Sequence, residues 1–151
     1  MGYCLLVVQL YTYDILFRVE IVIDTSAILA VIAEQPEKAE LVRLARGATL
    51  SAPASVHWEV GNAFSAMFKR RAIGLKEALR CLEAYAAIPI RIVDVTLEQA
   101  VELSFRWNVY AYDGYVLACA LNRKAPLLTL DGGLRNRARD LKLEVLEVTI
   151  S

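Results

Sequence analysis

Two aspartates stand where a hydrophobic run ends, and they are the residues best placed to do chemistry. Asp24 follows the run IVI, and Asp131 follows LLTL. In open α/β sheets ligands bind outside the carboxyl ends of the strands, so an acid there is either a helix N-cap or a ligand-binding group. For one aspartate the cap is the better interpretation, whereas two at equivalent places favour a site.

Two further acids are less easily assigned to a solvated helix face. Asp113 opens the apolar helix YDGYVLACA and leaves the same two alternatives, cap or ligand. Glu59 lies inside a predicted long helix, beside its apolar stripe, and shares a face with Asn62 and Ala66. A carboxylate and a carboxamide that face a sheet edge suggest a functional site.

If the four acids converge, their charges decide what the site binds. Carboxylates about 5 Å apart repel by roughly 3 kcal/mol at an effective dielectric near 20. Such a group must take up protons or bind a cation. Oxygen ligands without His or Cys select a hard ion, Mg²⁺ or Mn²⁺. Sites of this kind serve phosphate transfer or phosphodiester hydrolysis.

The fragments around these acids resemble the PIN-domain ribonucleases, and in particular the VapC-type toxins of prokaryotic toxin–antitoxin pairs. They are IVIDTSAILA around Asp24, HWEVGNAF around Glu59, YDGYVLACA around Asp113 and LLTLDGGL around Asp131. Their order and spacing carry the resemblance from about residue 20 to residue 148. The chain departs from the family in its N-terminal extension and in Lys142, where the family more often has glycine.

The resemblance implies a divalent-metal site that activates water for attack on an RNA phosphodiester, with all four acids as candidate catalytic residues. Asp24 and Asp113 would be the main ligands of Mg²⁺ or Mn²⁺. Glu59 would bind the metal or position the water, and Asp131 would be the more variable fourth acid. Polar neighbours would hydrogen-bond within or beside the site, namely Thr25, Ser26, Asn62 and Thr129. The family also implies a cognate antitoxin protein and a homodimer.

Short apolar strands alternate with helices along the chain, which predicts a three-layer α/β/α domain with a central, mainly parallel sheet. The strands are predicted at about 20–24, 49–52, 91–95, 126–130 and 143–148. Helices are predicted at about 25–33, 36–47, 55–71, 75–87, 96–107, 113–123 and 134–140. Thr25 and Ser26 are predicted to cap the first helix.

The composition permits a core but excludes a polycation. Hydrophobic residues make up 57% of the 151 residues and charged residues 23%, which argues against disorder. Seventeen Lys and Arg balance seventeen Asp and Glu. Any RNA contact must therefore come from local groups such as 69–71, 123–124 and the three arginines between 135 and 139. Each could contact phosphate or simply complement a helix C-terminus.

Aromatic and apolar side chains leave two interpretations open. Tyr110, Tyr112 and Tyr115 surround Asp113, where one could stack on an unpaired base, although core or interface packing is the commoner use. The stripe of Leu79, Leu82 and Tyr85 could bind a second copy or an antitoxin, with core packing again the commoner use.

Cysteine and histidine exclude other chemistries. Cys4, Cys81 and Cys119 are scattered without a CxxC pair, which indicates a reducing cytoplasm rather than a disulfide framework or a zinc site. His57 is the single histidine, and no GxSxG motif accompanies it, so we interpret it as structural or interfacial.

Residues 1–18 form an apolar N-terminal extension of uncertain status, ahead of a predicted nuclease domain at 19–151. The apolar run is too short for a membrane span and includes Asp14. It lacks the basic start and the small-residue cleavage site of a secretory signal. An extra strand, a peripheral flap and a start codon assigned too far upstream remain as alternatives.

Two other functions stay open for the same fold. One is a PIN-type nuclease in RNA processing or decay that has no antitoxin. The other is a non-catalytic module that only binds a partner or RNA, although the presence of all four acids argues against it. A receiver domain needs paired acids near the first strand and a HAD-type phosphatase needs DxD, whereas this chain has DTS.

Overall fold

The computed structural model describes residues 19–149, so the predicted extension at 1–18 lies outside the described residues. Within residues 19–149 the strands are β1 (Glu20–Ile23), β2 (Thr49–Pro53), β3 (Ile90–Val93) and β4 (Leu127–Leu128). The helices are α1 (Thr25–Ile32), α2 (Lys38–Ala45), α3 (Ser55–Lys69), α4 (Leu75–Ala86), α5 (Leu97–Trp107), α6 (Ala111–Arg123) and α7 (Gly132–Asp140).

The strands form one sheet in the order β3-β2-β1-β4, and every neighbouring pair is parallel. Parallel neighbours need long crossover connections, which the helices supply. Residues Ile21 and Ile23 pack into one buried cluster, and Val22 between them packs into a second. Successive strand residues point to opposite faces, so the sheet has a core on both sides. The predicted three-layer α/β/α fold is therefore confirmed.

The predicted last strand at 143–148 is wrong among the described residues. Only an isolated parallel bridge joins Val145 to Leu127. The Leu127 amide donates to the Glu144 carbonyl, and the Leu146 amide donates to the Leu127 carbonyl, each at 2.9 Å. The pairing stops there because β4 itself has only two residues.

The strand predicted at 126–130 is shortened for a related reason. Beyond Leu128 the backbone bonds to side chains: the Leu130 amide donates to Ser26 Oγ, and the Asp131 amide donates to Thr129 Oγ1. These bonds replace a sheet ladder with a turn.

Lys142 occupies a left-handed backbone conformation, with a φ of 59°. Glycine adopts this conformation without steric cost, so Lys142 replaces glycine at a position whose backbone favours glycine. Among the helices of residues 19–149, none has the length and apolar character that a membrane span requires.

Candidate functional site

Three of the four candidate acids follow strands that end at the same edge of the sheet. Asp24 comes directly after β1, and Asp131 comes three residues after β4. Glu59 lies in α3, which begins two residues after β2. Because neighbouring strands are parallel, their carboxyl ends meet at one edge. The sheet topology thus brings these acids to a common region.

Asp24 is almost fully buried, with 6% of its surface exposed. Its Oδ1 accepts a hydrogen bond from the Ala27 amide at 3.2 Å, which makes Asp24 the N-cap of α1. The prediction that Thr25 and Ser26 cap this helix is therefore wrong. A carboxylate before the first turn satisfies an amide that those hydroxyls, already inside the helix, do not reach.

Ser26 connects Asp24 to the end of β4. Its hydroxyl lies 2.7 Å from Asp24 Oδ1 and 3.0 Å from Oδ2, and it accepts the Leu130 amide at 2.9 Å. Thr129 Oγ1 lies 3.4 Å from Ser26 Oγ. The predicted positions of Ser26 and Thr129 beside the acids thus agree with the geometry.

Asp131 also serves as a cap. Its Oδ1 accepts the Leu134 amide at 2.7 Å at the start of α7. The cap alternative therefore describes both Asp24 and Asp131 correctly. It does not exclude a site, because an ionised carboxylate has about four lone-pair positions and a cap uses one of them.

Glu59 has a strongly perturbed carboxyl group. Its pKa is raised to about 7, first by burial and then by the negative charge of Asp24. The Ser55 hydroxyl, which donates to Glu59 Oε1 at 3.3 Å, opposes the rise. Thr25 also lies close enough to oppose it, but its Oγ1 is buried and makes no hydrogen bond within the described part of the chain.

Asp113 lies in the first turn of α6. Burial raises its pKa, and the charge of Asp131 raises it further. Asp113 in turn contributes to the raised pKa of Glu59. Burial likewise raises the pKa of Asp24, although its bonds from Ser26 oppose this. Repulsion therefore links the four predicted acids in series, from Asp24 to Glu59, Asp113 and Asp131.

The side chains between residues 19 and 149 include no three His, Cys, Asp or Glu that together could hold a metal ion. This arrangement still fits Mg²⁺, which keeps several waters and is commonly bound through only one or two carboxylates. The donor set is oxygen alone, and the unbonded Thr25 hydroxyl is a further oxygen at its margin. The residues fit a hydrated hard ion and do not fit a closed metal cage.

Other predicted residues lie outside this cluster. Asn62 is exposed and makes no hydrogen bond among the described residues, so its role stays a prediction. His57 Nδ1 lies 2.7 Å from the Tyr85 hydroxyl and joins α3 to α4, which agrees with a structural role. Ser55 is a neighbour of the site that was not predicted, although its i, i+4 spacing from Glu59 on one helix was a usable signal.

The basic residues divide by location. The Arg123 guanidinium forms two hydrogen bonds to Glu20, at 2.8 and 2.6 Å, at the amino end of β1 and so away from the acids. Arg137 and Arg139 pair with Asp140 and Glu147, respectively. The Arg135 guanidinium instead folds back to the first turn of α7, where its Nη2 lies 3.7 Å from the ideal Cβ position of Gly132.

Several large apolar side chains are exposed. Tyr110, the N-cap residue of α6, is 85% exposed, and Tyr112, in the first turn of the helix, is 41% exposed. Leu79 and Leu82 on α4 are also exposed, so core packing is the wrong interpretation for these two leucines. Exposed apolar groups of this kind commonly mark contacts with other molecules.

Fold and site together define an α/β domain that gathers carboxylates at the carboxyl edge of a parallel sheet. The sequence matches the PIN domain over residues 21–140. The chain therefore belongs to the PIN domain family, a family of nucleases. No curated protein sequence matches it significantly.

Solved structures share the fold at low sequence identity. PAE2754 from Pyrobaculum aerophilum has 21% identity and a TM-score of 0.64, with 79% of each chain covered. VapBC2 from Rickettsia felis, bound to a DNA fragment from their promoter, has 14% identity and a TM-score of 0.64, covering 86% of this chain and 99% of that one. FitAcB from Neisseria gonorrhoeae has 17% identity and a TM-score of 0.50, covering 84% and 96%.

Proposed function

We propose that the protein, with its nuclease domain at 19–151, is a divalent-metal-dependent endoribonuclease that acts as the toxin of a toxin–antitoxin pair. The observation that carries the proposal is a group of carboxylates with raised pKa values: burial raises those of Asp24, Glu59 and Asp113, and repulsion from neighbouring acids adds to the rise at Glu59 and Asp113. Folding brings like charges together here at a cost, and a bound cation would offset that cost.

Asp24 and Asp113 would hold the ion, Mg²⁺ or Mn²⁺, through water-rich coordination. When bound, such an ion polarises phosphoryl oxygens and makes a water molecule acidic enough to act as a nucleophile near neutral pH. Ser26 orients the Asp24 carboxylate by its bond to both oxygens. Asp131 adds negative charge beside Asp113 at the start of α7.

Glu59 would act as the general base that accepts a proton from the attacking water. Its pKa of about 7 belongs to the metal-free protein, and a cation held by the neighbouring carboxylates would lower it. The ionised carboxylate could then accept a proton from the attacking water at one of its oxygens. Arg135 would contact the RNA phosphate from the first turn of α7.

The partners are inferred from the resemblance to VapC-type toxins and from the fold shared with VapBC2. We infer a cognate antitoxin protein and a homodimer. Exposed apolar side chains offer surfaces for both: on α4 Leu75, Leu79 and Leu82, and on α5 Leu97, Val101 and Phe105.

RNA cleavage by wild type and by Asp24→Asn, in Mg²⁺ and in Mn²⁺, tests the activity. The amide keeps the cap of α1 but removes the charge, so we expect cleavage to fall by about 100-fold or more, since groups that stabilise the transition state contribute on this scale. Asp94→Asn is the matched control, because Asp94 also follows a strand but is exposed and borders the edge strand β3.

Two results would contradict the nuclease proposal: equal cutting by wild type and Asp24→Asn, or cutting that survives a chelator. A separate experiment tests the toxin role. Expression of the wild type should arrest growth, and co-expression of a small protein encoded by the neighbouring gene should relieve the arrest. Cleavage without growth arrest would favour a nuclease in RNA processing or decay.

A further inference from the structure

Gly114 is a buried glycine inside a helix, one residue after Asp113. An ideal Cβ at this position would lie 2.4 Å from the Ala100 carbonyl oxygen and 2.8 Å from Ser104 Oγ, both on α5. Real Cβ atoms essentially never come within 3.0 Å of such neighbours. The first turn of α6 therefore lies against the backbone of α5 at a distance that only glycine permits.

A hydrogen bond within α5 fixes the two atoms that face Gly114. The Ser104 hydroxyl donates to the Ala100 carbonyl at 2.7 Å, so both atoms that face Gly114 are fixed to each other. Ala100 itself is fully buried.

Glycine is a poor residue for a helix interior, because it gives up more backbone freedom than alanine does. Gly61 in α3 is also a helical glycine, but an ideal Cβ there would meet nothing within 4 Å. Both glycines therefore lower the stability of their helices relative to alanine. Only Gly114 has a tertiary contact that excludes a larger residue.

We propose that Gly114 is a positioning residue that sets the distance of Asp113 from Glu59 and Asp131. Asp113 moves with α6, whereas its two neighbouring acids belong to α3 and α7. A side chain at position 114 must push the first turn of α6 off α5 until the 2.4 Å contact exceeds 3.0 Å. That displacement changes the carboxylate spacing that a shared cation would span. The inference rests on the function proposed above.

The test compares Gly114→Ala with Gly61→Ala, which adds the same methyl group without a contact. Two readouts are needed: Mn²⁺ affinity of the RNA-free protein by calorimetry, and kcat and KM for RNA cleavage. A shift of about 1 Å in a reacting group can cost about 100-fold in rate, so we expect kcat to fall 10- to 100-fold in Gly114→Ala. Mn²⁺ should bind at least several-fold more weakly, and Gly61→Ala should match wild type in both.

Folded Gly114→Ala with wild-type Mn²⁺ affinity and kcat would overturn the inference while leaving the proposed function intact. Conversely, if wild type does not cleave RNA but Gly114→Ala alone loses Mn²⁺ affinity, the positioning role stands and the proposed function fails. If wild type does not cleave RNA and Gly114→Ala binds Mn²⁺ as tightly as wild type does, both the positioning role and the proposed function fail.

Ser104→Ala keeps the question decidable if Gly114→Ala does not fold. This variant adds no bulk and removes the hydroxyl that fixes the Ala100 carbonyl. Weaker Mn²⁺ binding in folded Ser104→Ala would support the positioning role. Unchanged binding, together with an unfolded Gly114→Ala, would mean that the contact serves the fold alone and would overturn the inference.

Discussion

The Ser26 hydroxyl lies within hydrogen-bond distance of both carboxylate oxygens of Asp24, at 2.7 and 3.0 Å. The same oxygen accepts the Leu130 amide, 104 residues further along the chain. One side chain thus orients the first acid of the site and joins the ends of two neighbouring strands.

Replacing Ser26 by Ala should lower the stability of the protein as well as its activity. The Leu130 amide would lose its partner in a partly buried place, and an unsatisfied group there costs about 1–3 kcal/mol. Urea unfolding measures this loss. Ser65→Ala, an exposed position in α3, is the control and should unfold like wild type. Equal midpoints for all three proteins would show that the Ser26 bonds contribute nothing to stability.

Glu59→Gln should stabilise the metal-free protein at alkaline pH and not at acidic pH. The folded pKa of Glu59, about 7, lies above its ordinary value of 4.5. Its favourable contribution is therefore fully present below pH 4.5 and is lost as the pH rises through 7. Because the carboxyl group is partly exposed, we discount the cost of its charge at pH 8 to about 1–2 kcal/mol.

Thermal melting in chelator at pH 5 and pH 8 checks this expectation. The midpoint of Glu59→Gln should exceed that of wild type by a few degrees at pH 8, and the difference should be much smaller at pH 5. Glu83→Gln, on the exposed face of α4, should follow wild type at both pH values. A gain of equal size at both pH values would show that burial and charge repulsion are not its cause.

Substitution of Arg135 should reduce RNA cleavage without lowering stability, and substitution of Arg123 should do the reverse. Arg135→Gln should reduce RNA cleavage about tenfold and lower the salt slope of RNA binding by about one, because one phosphate contact is lost. Its melting temperature should stay near that of wild type. Arg123→Gln breaks the two bonds to Glu20 and should lower the melting temperature while leaving cleavage unchanged. If Arg123→Gln loses cleavage at full stability, the division of the basic residues is wrong.

Local pattern was enough to predict most of the elements. The run EIVID and the following helix appear almost as predicted, since a β-branched apolar run before an acid favours a buried strand. The cap of α1 was assigned to the wrong residues because Asp24, Thr25 and Ser26 are all good caps. Only the backbone path decides which of them precedes the first turn.

The sequence by itself determined which residues could do chemistry: acids that follow apolar runs, in the order of a PIN domain, on a chain of zero net charge. The tertiary structure decided which residues meet. It placed β4 beside β1, so that Ser26 reaches Leu130, and it joined Arg123 to Glu20 at the opposite edge of the sheet. These two contacts join groups that are 104 and 103 residues apart, and no local propensity encodes them.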